Sequence, residues 1–106
     1  MSGSSKAALS DCVEVVQDAL DNAHRSLDTL RNLNVGEFEF QMSDVLTWLS
    51  AALTDEDTCM DGFEGLVGRQ VKMIHDKVQN VSYVTSNALA LANWLATSGV
   101  QALSGP

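Results

Sequence analysis

From Leu9 to Leu30 the sequence sets an apolar or small residue at alternating steps of four and three: Leu9, Val13, Val16, Leu20, Ala23, Leu27 and Leu30. Such a seam belongs to a helix that packs at a shallow angle on its neighbours. The spacing predicts a helix from about Lys6 to Asn32, capped by Ser4 or Ser5 and stopped by Asn32-Leu33-Asn34-Val35-Gly36. A later segment, from about Val67 to Ala96, repeats the pattern with Val71, Ile74, Val78, Val81, Ala88, Ala92 and Leu95. Val84 and Leu91 flank that seam, and Thr85 interrupts it. Ser98-Gly99 closes the segment, and the tail to Pro106 is expected to fray.

Between these segments, Glu37-Phe38-Glu39-Phe40-Gln41 alternates but is too short for an unpartnered strand, and it reads as irregular. A middle helix is expected from Ser43, a good cap, to about Phe63. Its buried face would use Val45, Leu49, Ala52 and Cys59, with Leu46, Leu53, Met60 and Phe63 beside them. Gly62 and Gly65 weaken its end, and the polar block Thr54-Asp55-Glu56-Asp57 is a candidate break. The single proline is the last residue, so long helices are allowed almost everywhere. The expected fold is all-α, an up-and-down antiparallel bundle of three long helices in one domain over residues 1–106. The wide seams hold more apolar surface than three helices cover. A fourth helix, from an N-terminal segment or another chain, is expected to complete the bundle.

Fourteen acids against six bases give a net charge of −8. Phosphate repulsion argues against nucleic acid, and the balance favours a basic partner or simple solubility. No apolar run approaches the roughly 18 residues that a membrane span needs. Met1 to Lys6 lacks the apolar core of a signal peptide and reads as a flexible lead-in. Asp11, Glu14, Asp18, Asp21 and Asp28 recur at steps of three, four, three and seven, interrupted by Arg25. They form a stripe roughly opposite the Leu9–Leu30 seam, either plain solvent face or a docking surface for a basic partner.

A search for chemistry returns no enzyme and no cofactor. Asp57, Asp61 and Gly62 fit the first, fifth and sixth positions of a calcium loop, but the third would be Cys59 and the twelfth Gly68, where a bidentate Glu is needed. Cys12, His24, Cys59 and His75 lack the close ligand spacing of a zinc site, so no metal is expected. No serine sits in an elbow motif, no histidine arrangement accompanies the cysteines, and no glycine-rich phosphate loop is present. Two cysteines permit one disulfide or two buried thiols. Asn80-Val81-Ser82 is an N-glycosylation sequon, and together with the even cysteine count it tilts the compartment toward secretion.

Four stretches carry a likeness to known proteins: Ala7-Ala8-Leu9-Ser10-Asp11-Cys12, Thr47 to Thr54 (Thr-Trp-Leu-Ser-Ala-Ala-Leu-Thr), Asp57 to Phe63 (Asp-Thr-Cys-Met-Asp-Gly-Phe) and Thr85 to Leu91 (Thr-Ser-Asn-Ala-Leu-Ala-Leu). Together they resemble the plant invertase and pectin methylesterase inhibitor family over about Ala7 to Leu95. The resemblance implies a four-helix bundle preceded by a helical hairpin, with one disulfide in the hairpin and one between the second and third bundle helices. Cys12 and Cys59 match the second pair. The hairpin, its cysteines and the first bundle helix have no counterpart here, which would account for the unfilled seam.

Within the family, invertase inhibitors resemble one another in a Pro-Lys-Phe motif between the second and third bundle helices. The corresponding residues here, Gly36 to Gln41, contain neither proline nor lysine. The Thr47–Phe63 block is closer to pectin methylesterase inhibitors and to the pro-regions of those esterases. The resemblance thus implies an enzyme inhibitor, secreted to the apoplast and cell wall, lying across the esterase's pectin cleft in a 1:1 complex. Glu14, Asp18, Asp21, Thr58 and Asp61 are carried over as partner-binding positions. Carboxylates titrating near about pH 4 would make binding respond to apoplastic pH. The alternatives are an inhibitor of acid invertase, an esterase pro-region, or an inactive truncated bundle, with self-association through the open seam.

Overall fold

The computed structural model describes residues 2–99. Three helices follow one another: α1 (Gly3–Arg31), α2 (Phe38–Asp61) and α3 (Arg69–Ser98), with a 3-10 turn at Val35–Glu37 before α2. The all-α, antiparallel arrangement matches the periodicity. The tail expected to fray lies outside the described residues.

Helix α1 starts earlier than expected, because Ser2 rather than Ser4 or Ser5 caps it. The Ser2 hydroxyl accepts a bond from the Ser5 backbone N–H at 3.0 Å, satisfying one orphan donor of the first turn. Residues 3–6, expected as a flexible lead-in, are therefore helical. The stretch expected to be irregular is ordered as well. The Asn34 side chain accepts from Glu37 N–H at 3.0 Å, and the Gln41 amide donates to the Asn32 carbonyl at 2.8 Å. Phe38 and Met42 are buried, so α2 begins five residues before Ser43. Nor does Thr54–Asp57 break α2. Thr54 and Thr58 turn their hydroxyls back onto the carbonyls of Ser50 and Thr54 at 3.0 and 2.9 Å. Two glycines make the next turn. Gly65 and Gly68 hold φ of +79° and +132°, conformations that a side chain would strain.

The α1 seam is the main correction. α2 lies in the middle, and α1 and α3 each pack on it while scarcely touching one another. The face that α1 turns to α2 carries Ser5, Ala8, Cys12, Ala19 and Ser26. Most of these positions stand one residue before the predicted seam, a rotation of about 100°. Leu9, Ala23 and Leu30 are half-buried, while Val13 (50% exposed), Val16, Leu20 (54%) and Leu27 face outward. Small residues prevail because the helices come close: the Cys12 and Cys59 Cα atoms are 4.4 Å apart across the disulfide that joins α1 to α2. In the chain-entropy view, closing that loop stabilises by about 4 kcal/mol. On α3 the predicted seam largely holds: Val71 and Ala92 are buried and Ile74, Val78, Ala88 and Leu95 half-buried, while Val81 is exposed beside a buried Ser82 and the flanking Val84 and Leu91 face outward.

The core divides into two parts. One gathers Ala8, Cys12, Cys59, Phe63 and Val71, and the other Phe38, Met42, Val45, Leu49 and Ala92. The central stretch of α2 between them carries Ala52 and Glu56, both buried.

Candidate functional site

Around its circumference α1 has three faces: small residues toward α2, the exposed apolar seam on one flank, and the acidic stripe on the other. Steps of four and three place Glu14, Asp18 and Asp21 on one line. Together with Val15, Gln17 and Asp55 of α2 they line a shallow cleft of about 440 Å³. The ion pairs found among the described residues lie on α3, Lys72 to Asp76 at 2.8 Å and His75 to Asp76 at 3.6 Å. No lysine or arginine lines the acidic cleft. Its charge is thus met by no cationic side chain lining it.

Asp55 was not singled out by sequence. It is half-buried, and its Oδ2 is closed off from solvent without a hydrogen-bond partner. Desolvation, the neighbouring Asp18 carboxyl, which favours a proton held between the two, and the charges of Asp18 and Glu56 push its carboxyl up to about 6. A signal for it exists in the sequence. Asp55 stands one helical turn before Cys59, on the side of α2 that meets α1.

Glu56 is only 5% exposed. Its Oε2 accepts a bond from the Thr85 hydroxyl of α3 at 3.0 Å, and its Oε1 is buried without a partner. Burial raises this carboxyl above its ordinary value, the Thr85 bond lowers it, and the Asp57 charge raises it again. The two polar interruptions of the predicted seams therefore meet each other.

The remaining predicted positions are scattered. Thr58 is exposed, with its hydroxyl tied to the Thr54 carbonyl, and it does not line the acidic cleft. Asp61 lines a separate cavity of about 390 Å³ with Met60, Phe63, Glu64 and His75. The structure brings Glu14, Asp18 and Asp21 together, and joins neither Thr58 nor Asp61 to that cleft. Asn80 is exposed on α3, whereas Ser82 of its sequon is buried. Cys12 and Cys59 are bonded to each other, so neither is a free thiolate.

On the opposite flank of α1 an apolar groove of about 380 Å³ runs between α1 and α3 over α2. Leu27 and Leu30 line one wall, Leu91 and Leu95 the other, and Leu49 the floor. This is the place that the unfilled seams predicted. Among the described residues no helix is long and apolar enough to cross a membrane.

Comparison with known proteins gives a consistent result. The family model described as plant invertase/pectin methylesterase inhibitor matches residues 1–91. Pectinesterase inhibitor 6 of Arabidopsis thaliana is 52% identical over 99 residues, which cover 92% of this chain and 48% of the relative. The 21 kDa protein of Daucus carota is 51% identical over 92 residues, covering 82% of this chain and 48% of the relative. Pectinesterase inhibitor 3 of Arabidopsis thaliana is 47% identical over 96 residues, covering 85% and 47%. The chain thus spans about half the length of these relatives. No solved structure matches it with significance.

Proposed function

The chain belongs to the plant invertase/pectin methylesterase inhibitor family, and from that premise we propose that it inhibits pectin methylesterase in the plant cell wall. The observation that carries the reading is the uncompensated acidic cleft of Glu14, Asp18 and Asp21, set beside Asp55 on the α1–α2 face. A surface of one sign without counter-charges steers and orients a partner of the opposite sign. The names of its relatives supply the target, because two of the three reported are pectinesterase inhibitors. In the proposed 1:1 complex the α1–α2 face lies across the esterase's substrate cleft and excludes pectin. Thr58 and Asp61 extend the contact toward the C-terminal end of α2. Secretion to the apoplast, with a glycan at the exposed Asn80, belongs to the same reading.

The order of residues 34–41 favours the esterase over acid invertase. These residues are held by Asn34 and Gln41 and run into α2 with Phe38 buried, so they offer no free loop to probe a second enzyme's site. The test is a parallel titration of plant pectin methylesterase and acid invertase activities with this protein. Stoichiometric loss of esterase activity alone is expected, and an unaffected esterase refutes the proposal. Asp18→Lys combined with Asp21→Lys should weaken inhibition and reduce its salt dependence. Unchanged inhibition by the folded double variant refutes the interface.

A further inference from the structure

We propose that Asp18 and Asp55 form an acid clasp, a carboxyl pair that shares one proton, holds α1 on α2 at low pH and loosens when the proton leaves. The geometry is that of two carboxyls, one from each helix, lining one cleft at the α1–α2 contact. Asp18 comes from the acidic flank of α1, Asp55 from the side of α2 that meets it, and both line the same cleft. Asp55 Oδ2 is closed to water and receives no donor, although Gln17 lines the cleft too. Two ionised carboxylates held in one cleft repel, whereas one acid and one carboxylate can share a strong hydrogen bond.

The surroundings reinforce the pair rather than neutralise it. From α1 the groups in the cleft are Glu14 and Asp21, both acidic. On α2 the neighbour is Glu56, whose charge also disfavours ionisation of Asp55. From α3, Thr85 bonds Glu56, and Lys77 lines a different cavity with Glu56 and Val16. No cation among the described residues lines the cleft.

The direction of the pH effect follows from proton linkage. The folded protein holds the Asp55 proton up to about pH 6, whereas the unfolded chain releases it near its ordinary value of 3.8. Between those values the folded state binds more protons, so stability falls as pH rises. The clasp's contribution is complete below the lower value and gone above the upper one. One proton changes the folding equilibrium by at most about tenfold per pH unit in that window.

Two measurements on the whole chain test this. Carbon-detected NMR titration of the unmodified protein should give an Asp55 carboxyl midpoint near 6, moving down in Asp18→Asn. A midpoint in the ordinary aspartate range overturns the proposal. Thermal melts from pH 4 to 7 then compare the parent, Asp55→Asn and Asp44→Asn. The asparagine amide donates to Asp18 at every pH, so Asp55→Asn should flatten the fall of Tm with pH. Asp44→Asn changes the net charge equally at an exposed position of α2 and should keep the fall. If the two variants give the same slope, the clasp is refuted and general charge repulsion accounts for the slope.

Discussion

Glu56 and Thr85 show how much rests on single side chains in a three-helix protein. Glu56 is buried, its Oε1 is closed off without a donor, and its Oε2 has the Thr85 hydroxyl. Thr85→Val removes that donor and leaves a buried acid with nothing to answer it. The expected loss is about 1–3 kcal/mol, read from urea unfolding at neutral pH. Glu56→Leu added to Thr85→Val should recover most of the loss, since an apolar pair of similar volume needs no solvation. A double variant as weak as the single one would show that the cost lies in packing instead. The position of Glu56 was legible in part. Val45, Leu49, Ala52, Glu56 and Cys59 continue one four-and-three rhythm. Residue type hid it, because a run of acidic residues looks like a solvated surface.

At the scale of the element, α1 separates two properties that periodicity alone combines, the apolar face and the buried face. Ala19 is 4% exposed and Leu20 54%, although they are neighbours in sequence. Ala19→Leu forces bulk into the close α1–α2 contact and should cost about 1–3 kcal/mol. Leu20→Ala should cost under about 1 kcal/mol, its side chain being half in water already. Urea denaturation of both variants decides the matter, and the reverse order of losses would restore the predicted seam as the contact. Helix number, type and approximate length were readable because a period of 3.6 residues survives any neighbour. Which face of α1 meets α2 was not readable from the apolar pattern. It depends on which positions are small enough for the 4.4 Å approach at Cys12 and Cys59. The caps at Ser2 and Asn34 were missed for a simpler reason. Both lie outside the apolar rhythm, and their neighbours, serines at one site and an alternating stretch at the other, offered competing readings.

The whole molecule, 53 × 21 × 16 Å, is a central helix with a partner on either side and an open apolar groove between the partners. Leu27 and Leu91 line that opening and are exposed, and Leu20 and Val81 are exposed elsewhere on the same two helices. An apolar surface of this kind favours self-association, which the net charge of −8 opposes. Raising the ionic strength screens the charge, so sedimentation equilibrium should show the average mass of the chain growing with salt and concentration. Leu27→Glu with Leu91→Glu should abolish the growth, and a strictly monomeric parent under all conditions contradicts self-association. The disulfide has a consequence for motion as well as for stability. Cys12 lies six residues from Asp18, about 9 Å along the helix, and Cys59 four residues from Asp55, about 6 Å. When Asp55 loses its proton, α1 is therefore on a short leash and cannot diffuse away. Rejoining is unimolecular, at an effective concentration on the order of millimolar or more, so a return to acid should restore the contact at a rate independent of protein concentration.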